Sequence, residues 1–425
     1  MTNKQHVIVI SYDAFSKDNW ELAKQQPNLA ALIQTGASTT NVVSVYPTLT
    51  YVIHSTYVTG VYPNKHGVHH NCPFQPFIAE NDQDWHWYRQ NINGTTIYEV
   101  AKQHGLTTAG LLWPVSGKSN MDYFIPEMKA VRGENQSLKI LKNGRKLFTL
   151  QMELKYGKIR KGIEQPYLDN FTTQMAVDTI KSKKPNLLLM HLIDLDDQKH
   201  IHGTKGEHIE QTIVRMDNRI GDIVSATKVA GTFEQTTFIV VGDHSQLDVQ
   251  YKVYLNYLFA QEGLIYEVDG KMHWRAYVQG AGGSAFLHVQ QNDVIAEQKA
   301  LEILQKALAS HQFGIEQIYD RTQLDTLHVE QKYKYMIEAK IGYCFEDEHS
   351  IGPVIDLHAQ GRKYATHGYT PFKENYTSNL IISGPTTKKG ETIQKAHVVD
   401  IAPTIAHLLN IPFSCDGNPL LDAFE

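Results

Sequence analysis

Short apolar runs recur along the chain at wide intervals. Val7-Ile8-Val9-Ile10 is β-branched throughout, the pattern of a strand buried on both faces of a parallel sheet. Val42 to Val45, Leu106 to Leu112, Leu187 to Leu192, Phe238 to Val241 and Leu380 to Ile382 continue the series. Helix-like segments lie between them. In one, Ile209, Ile213, Met216, Ile220 and Ile223 step by three and four residues. Another, Trp20 to Ile33, is interrupted at Pro27. Strands alternating with helices predict an α/β fold: a doubly wound, mostly parallel sheet with helices on both faces.

Two stretches break the rhythm. Residues 115–168 are polar and basic, with Lys139, Lys142, Arg145, Lys155, Lys158, Arg160 and Lys161. They read as an excursion at the sheet's edge with a solvated charged face, not as a nucleic-acid site. Residues 251–345 hold a β-unit (Ala276 to Val289, with Gly280, Gly282 and Gly283) and a helix from about Asp293 to Leu308. They read as a smaller α+β cap inserted into a core made of residues 1–250 and 346–425.

Composition narrows the class. Apolar residues make up 42% and charged residues 20% of the 425 positions, ordinary globular usage, so disorder is not the dominant state. The formal charge of −5 argues against a nucleic-acid polymer as partner. Cys72, Cys344 and Cys415 stand far apart with no CxxC pair, so no disulfide framework is expected. No run approaches the ~18 apolar residues of a membrane span, so no membrane is expected as a partner. The opening residues carry no leader-like pattern, and the expected location is the cytoplasm. The unusual count is 21 histidines.

Their positions, and those of the acids, follow the strand ends. The first run ends in Ser11-Tyr12-Asp13. The run 187–192 is followed by Asp194, Asp196, Asp197, His200 and His202, and the run 238–241 by Gly242-Asp243-His244. Open parallel sheets bind ligands outside the carboxyl ends of their strands. Three segments thus deliver carboxylates to one edge, where they repel unless a multivalent cation binds. Mixed carboxylates and imidazoles suit zinc or a similar transition metal better than calcium. Asp196 and His200 are one helical turn apart, and Asp194 and Asp197 are rivals to Asp196. His367, in Ala365-Thr366-His367-Gly368-Tyr369, is a further candidate.

A nucleophile is offered by Tyr46-Pro47-Thr48-Leu49-Thr50. The residues after Thr50 predict a short helix ended by Thr59-Gly60. A hydroxyl at a helix N-terminus lies in a positive field that suits phosphate, although plain N-capping gives the same pattern.

These stretches resemble the alkaline phosphatase superfamily, in its nucleotide pyrophosphatase/phosphodiesterase branch. The resemblance is carried by VISYDAF (9–15), YPTLTYVIHSTYVTGVYPNKHGVHHN (46–71), DDQKHIHG (196–203), VGDHS (241–245), THGY (366–369) and VVDIAPTIAHLLNIP (398–412). It implies an alkaline-phosphatase-like fold and two zinc ions per chain, with manganese or iron as alternatives. One ion would be held by Asp13, Asp243 and His244 with Thr50 beside it, the other by Asp196, His200 and His367. Asn71 matches the asparagine that donates to a phosphoryl oxygen, and Tyr51 the aromatic position of the substrate pocket. His54, His69, His70 and His202 read as groups that back the ligands or lie at the surface. The chain departs from the family at Tyr51-Val52-Ile53, where Phe-Pro-Asn is common, and at Ser245 in place of glycine.

The implied activity is hydrolysis of phosphodiester or pyrophosphate bonds in small, nucleotide-type phosphate esters through a phospho-threonine intermediate. The alternatives are a phosphomonoesterase or phosphonoacetate-hydrolase-like activity on the same platform, and a non-catalytic zinc-binding protein. Oligomeric state is left open.

Overall fold

A computed structural model describes residues 5–425. Its main sheet is built on six strands, β1 (His6–Tyr12), β2 (Ala37–Val43), β3 (Thr108–Trp113), β4 (Tyr123–Pro126), β5 (Leu187–Leu192) and β6 (Thr236–Gly242), together with Ser378–Ser383. Across the sheet the order is Glu391–Thr392, β2, Ser378–Ser383, β6, β1, β5, β3, β4, with Ala396–His397 also on β2. The pairings β6–β1–β5–β3–β4 are all parallel, and Ser378–Ser383 runs antiparallel to both its neighbours. The fold is therefore the mostly parallel, alkaline-phosphatase-like α/β architecture. The basic stretch after residue 115 begins by supplying β4, the sheet's edge strand.

Alternation along β1 shows why the run is apolar throughout. Val7 and Val9 enter the core on one face, under the helices Thr50–Thr59 and Ile401–Leu409. Ile8 and Ile10 enter the core on the other, under Tyr167–Lys183 and Glu207–Ala230. A strand covered on both faces has no solvent side for a polar residue to occupy. The helix read from 209 to 223 spans Glu207–Ala230, and the segment read as interrupted at Pro27 is two helices, Trp20–Ala23 and Pro27–Thr35.

Among the described residues, no strand of the main sheet comes from 251–345. Ala276–Gly280, Ser284–Val289, Met336–Ala339 and Ile315–Tyr319 form a separate antiparallel sheet, packed by the helix Val294–Ser310. Its first hairpin touches the site. Gly282 has φ +70°, and a Cβ there would lie 2.3 Å from the carbonyl oxygen of His367. Gly283 N donates to that same oxygen at 2.8 Å, and Ser284 Oγ donates to the Gly368 carbonyl at 2.6 Å. The loop carrying His367 thus rests on the hairpin.

Candidate active site

Parallel register brings the strand ends level. Tyr12 pairs with Leu192 on one side and Gly242 on the other, so Asp13, Ile193 and Asp243 emerge at the same height. The loop after β1 passes so close to β6 that a Cβ on Gly242 would lie 1.8 Å from the Phe15 carbonyl. Only glycine fits immediately before the Asp243-His244 pair.

After β5 the chain turns into the helix Asp194–His202. Asp169 accepts from Ile193 N and Asp194 N, both at 3.0 Å, satisfying free amides at this N-terminus. Asp194 is spoken for: Arg215 grips it at 2.7 and 2.9 Å, and Arg219 reaches it at 2.9 Å. Buried Lys199 anchors the helix to the loop after β1 through the Ala14 carbonyl and Asn19 Oδ1, each at 2.9 Å. With Asp194 held by arginines and Asp197 turned to a neighbouring cavity, Asp196 is the acid of the three that faces the histidines.

Two groups of ligand-type atoms result, each within 4.8 Å. One is Asp196, His200 and His367; the other is Asp13, Asp196 and His244. Asp243 joins the second through Oδ2, 3.5 Å from His244 Nε2, while Asp13 Oδ1 lies 3.2 Å from that nitrogen. Asp196 therefore faces both groups, where the sequence reading placed it in one. Thr50, the first residue of its helix, puts Oγ1 3.2 Å from His244 Nε2. The His244 and His367 rings stack at 3.9 Å.

The donor set fits metal. Asp13 Oδ1 and Asp243 Oδ2 are buried without a hydrogen-bond partner. His200 Nδ1 donates to the Ala365 carbonyl at 2.7 Å and His367 Nδ1 to the Thr48 carbonyl at 3.0 Å, which leaves each Nε2 as a lone-pair donor toward the cluster. Burial raises the Asp13 carboxyl well above its usual range, helped by Asp196 and Asp243, and pushes Asp243 up to about 7. Burial likewise holds His244 well below the usual imidazole range and His367 down at about 4. Around Asp13, Asp243 and His244, acids driven toward the neutral form and an imidazole kept neutral mark a place short of positive charge, whereas His200 holds the Asp196 carboxyl well below its usual range and is itself raised by it.

Asn71 Oδ1 accepts from Tyr51 N at 2.9 Å. Only the amide oxygen can take that bond, so Nδ2 is left as the donor for an anion. Tyr51 is fully buried, edge-on to Trp85 (5.1 Å) and Trp87 (6.2 Å), and those two indoles line the adjoining cavity. His54 lies beneath the nucleophile, Nδ1 2.8 Å from the Thr50 carbonyl and Nε2 2.9 Å from Ser11 Oγ. His70 holds the Gly280 carbonyl at 2.9 Å, His69 faces Glu330 at 2.7 Å, and His202 stacks on His208 at 3.7 Å. None of these joins the two groups.

Three further residues belong to the setting. His191, inside the apolar run of β5, lies 3.3 Å from Asp13 Oδ2 and 4.3 Å (ring to ring) from His54. A histidine on a strand covered on both faces is the signal that could have found it. Gln246 donates to Asp196 Oδ1 and, at 3.2 Å, to the Asp196 carbonyl, fixing that carboxylate. Glu127, just past β4, is pushed up to about 8 by burial beside Tyr51. Neither Gln246 nor Glu127 has a sequence signature.

The family model described as type I phosphodiesterase / nucleotide pyrophosphatase matches residues 7–370. The chain is similar to bis(5'-adenosyl)-triphosphatase ENPP4 of Bos taurus, 20% identical over 95% of this chain and 78% of that protein. It is also similar to ectonucleotide pyrophosphatase/phosphodiesterase family member 5 of Homo sapiens, 21% identical over 96% of this chain and 75% of that protein. Among solved structures, murine ENPP5, as an inactive variant in complex with AMP, superposes with a TM-score of 0.70 at 18% identity, covering 99% of this chain and all of that one. Human ENPP5 gives 0.69 at 17% identity, with 99% and 100% coverage. With the match spanning most of its length, the chain belongs to the type I phosphodiesterase / nucleotide pyrophosphatase family.

Proposed function

We propose that the protein hydrolyses phosphodiester or pyrophosphate bonds of small, nucleotide-type phosphate esters, with Thr50 as nucleophile. The observation that carries this is the placement of Thr50 Oγ1: at a helix N-terminus, 3.2 Å from His244 Nε2, beside two carboxylate–histidine groups. The AMP in the ENPP5 structure and the dinucleotide named for ENPP4 support the nucleotide class.

Asp13, Asp243 and His244 would hold one zinc ion next to Thr50, and Asp196, His200 and His367 a second. Such ions supply concentrated positive charge for oxyanions, and the residues do the rest. Thr50 Oγ attacks phosphorus in line, the ester bond to the leaving oxygen breaks, and the phosphoryl group stays on Thr50. Water then attacks phosphorus from the vacated side and frees Thr50. Asn71 Nδ2 donates to a non-bridging oxygen as charge builds, a type of contact worth on the order of ~3 kcal/mol in the barrier. Thr48 keeps the two halves together: its Oγ1 accepts from Gly368 N at 3.0 Å and donates to the Tyr369 carbonyl at 2.9 Å. A monoesterase needs an additional cation for the extra phosphate charge. Lys65, the lysine nearest Thr50 in sequence, is exposed and ion-paired with Asp416, which favours the diester.

The test is turnover of bis-p-nitrophenyl phosphate against p-nitrophenyl phosphate and phosphonoacetate. The diester is expected to be preferred, and Thr50→Ala to lose at least ~10³-fold in kcat while metal content is kept. A Thr50→Ala protein with undiminished turnover would exclude Thr50 as nucleophile.

A further inference from the structure

The strand Met336–Ala339 lies inside the second sheet, paired on one side with Ser284–Val289 and on the other with Ile315–Tyr319. Alternation along it separates two faces. Ile337 and Ala339 enter the second sheet's own core, whereas Met336 enters the core that also holds Tyr46 and Ile53. Glu338 falls on the Met336 face and is fully buried. Strand pairing needs no charge there, and burial pushes the carboxyl up to about 7 against the pull of Lys373. Its hydrogen-bond donors come from outside its own sheet. Oε2 accepts from Tyr46 Oη at 3.1 Å, and Oε1 accepts from Thr370 N at 2.9 Å. Lys373 Nζ lies 3.2 Å from Oε1 and donates to the Ala339 carbonyl at 2.8 Å, so the lysine ties the same corner back to the strand. The Tyr46 ring is held edge-on to Tyr319 at 5.8 Å. Tyr46 stands four residues before Thr50, and Thr370 three residues after His367. Those two segments already meet at Thr48, whose carbonyl takes His367 Nδ1 and whose Oγ1 takes Gly368 N, each at 3.0 Å. Glu338 therefore closes a triangle between the second sheet, the nucleophile's segment and the His367 loop.

We propose that Glu338 is a positioning residue for phosphoryl transfer: its carboxylate holds Tyr46 and Thr370 at a fixed separation, and so sets Thr50 Oγ against the ligand group that contains His367. The effect on turnover rests on the phosphodiesterase reading above; the effect on His367 as a ligand does not. A carboxylate suits the task because two donors, one N–H and one O–H, arrive together and each needs an acceptor oxygen. Alignment is what the chemistry needs from these segments, since a displacement of about 1 Å between reacting groups can cost roughly 10²-fold in rate. Glu338 touches neither Tyr51 nor Asn71, so it acts on the placement of the reacting groups and not on the binding of the ester's substituents.

The experiment compares the full-length parent with Glu338→Ala, Glu338→Gln and Tyr46→Phe in three readouts: kcat and KM for bis-p-nitrophenyl phosphate, zinc affinity of the metal-free protein against a competing chelator, and the urea midpoint. Glu338→Ala is expected to lower kcat at least roughly tenfold with KM within about twofold of the parent, and to weaken the second zinc equivalent by roughly tenfold. Glu338→Gln keeps an acceptor for Thr370 N and turns an N–H toward Tyr46 Oη, so it is expected to recover kcat to within roughly threefold of the parent. Tyr46→Phe removes a single hydroxyl, and it decides the link to Thr50 even if Glu338→Ala does not fold; its kcat is expected to fall roughly threefold or more at unchanged KM. A Glu338→Ala protein that loses only urea resistance, with parental kcat and zinc affinity, would overturn the proposal. So would a glutamine variant as impaired as the alanine one, or a Tyr46→Phe protein with parental kcat. If the parent turns over no ester, the phosphodiesterase reading falls, and the zinc affinities of the parent and Glu338→Ala still decide whether Glu338 sets His367.

Discussion

At the scale of single residues, Asp13, Asp243 and His244 are buried groups that lack a compensating charge. That state has a measurable consequence. Burial pushes Asp243 up to about 7, so it competes for protons near neutrality, and burial raises Asp13 well above the carboxylate range. A metal ion must displace those protons. Raised acid pKa values mean that the ligands are freed for metal as pH rises through about 7, so affinity should be stronger at pH 8 than at pH 6. Zinc titration against a competing chelator at the two pH values measures this directly; equal affinities would show that these carboxylates are not the ligands. The chemistry-bearing residues were legible because they follow apolar runs, and a polar residue just past a buried strand has few other reasons to be there. Asp196 was separable from Asp194 and Asp197 by its spacing to His200. What removes Asp194 from contention, the grip of Arg215 and Arg219, was not legible, since those side chains arrive from another helix.

At the scale of elements, the helix Asp194–His202 is held from both ends. Its N-terminus is tied to Asp169, and its middle to the loop after β1 through Lys199. Arg219 bridges Asp169 and Asp194 at 3.3 and 2.9 Å with almost no exposure. Removing it leaves buried Asp169 without its cation and Asp194 with Arg215 alone, a loss of about 3–5 kcal/mol. Arg219→Ala should therefore lower the urea midpoint and reduce metal content together. A variant as stable as the parent would show that the triad does not carry the helix. The elements themselves were mostly readable from periodicity. The exceptions are instructive: β2 starts at Ala37, well before the apolar Val42, because the polar Ser38 and Thr39 pair into the sheet. β4 was hidden within a stretch whose charge dominated its reading.

At the scale of the whole molecule, the second antiparallel sheet is coupled to the chemistry through one close approach. The hairpin at Gly282 supports the His367 carbonyl, and Thr48 ties the same loop to the nucleophile's segment. Gly282→Val would need a left-handed backbone at a β-branched residue and would press on His367. The expected result is loss of about half the bound metal with far-UV circular dichroism unchanged; full metal content would uncouple the hairpin from the site. Such long-range supports, like the cavity walled by several separate elements, leave no local pattern in the chain. They arise only when the sheet has brought those elements together.

The most direct measurement of the central claim is anomalous scattering at the zinc edge from crystals of the metal-loaded protein. Two peaks are expected, one bounded by Asp13, Asp243 and His244 beside Thr50, the other by Asp196, His200 and His367. A single peak, or peaks held by other side chains, would contradict it.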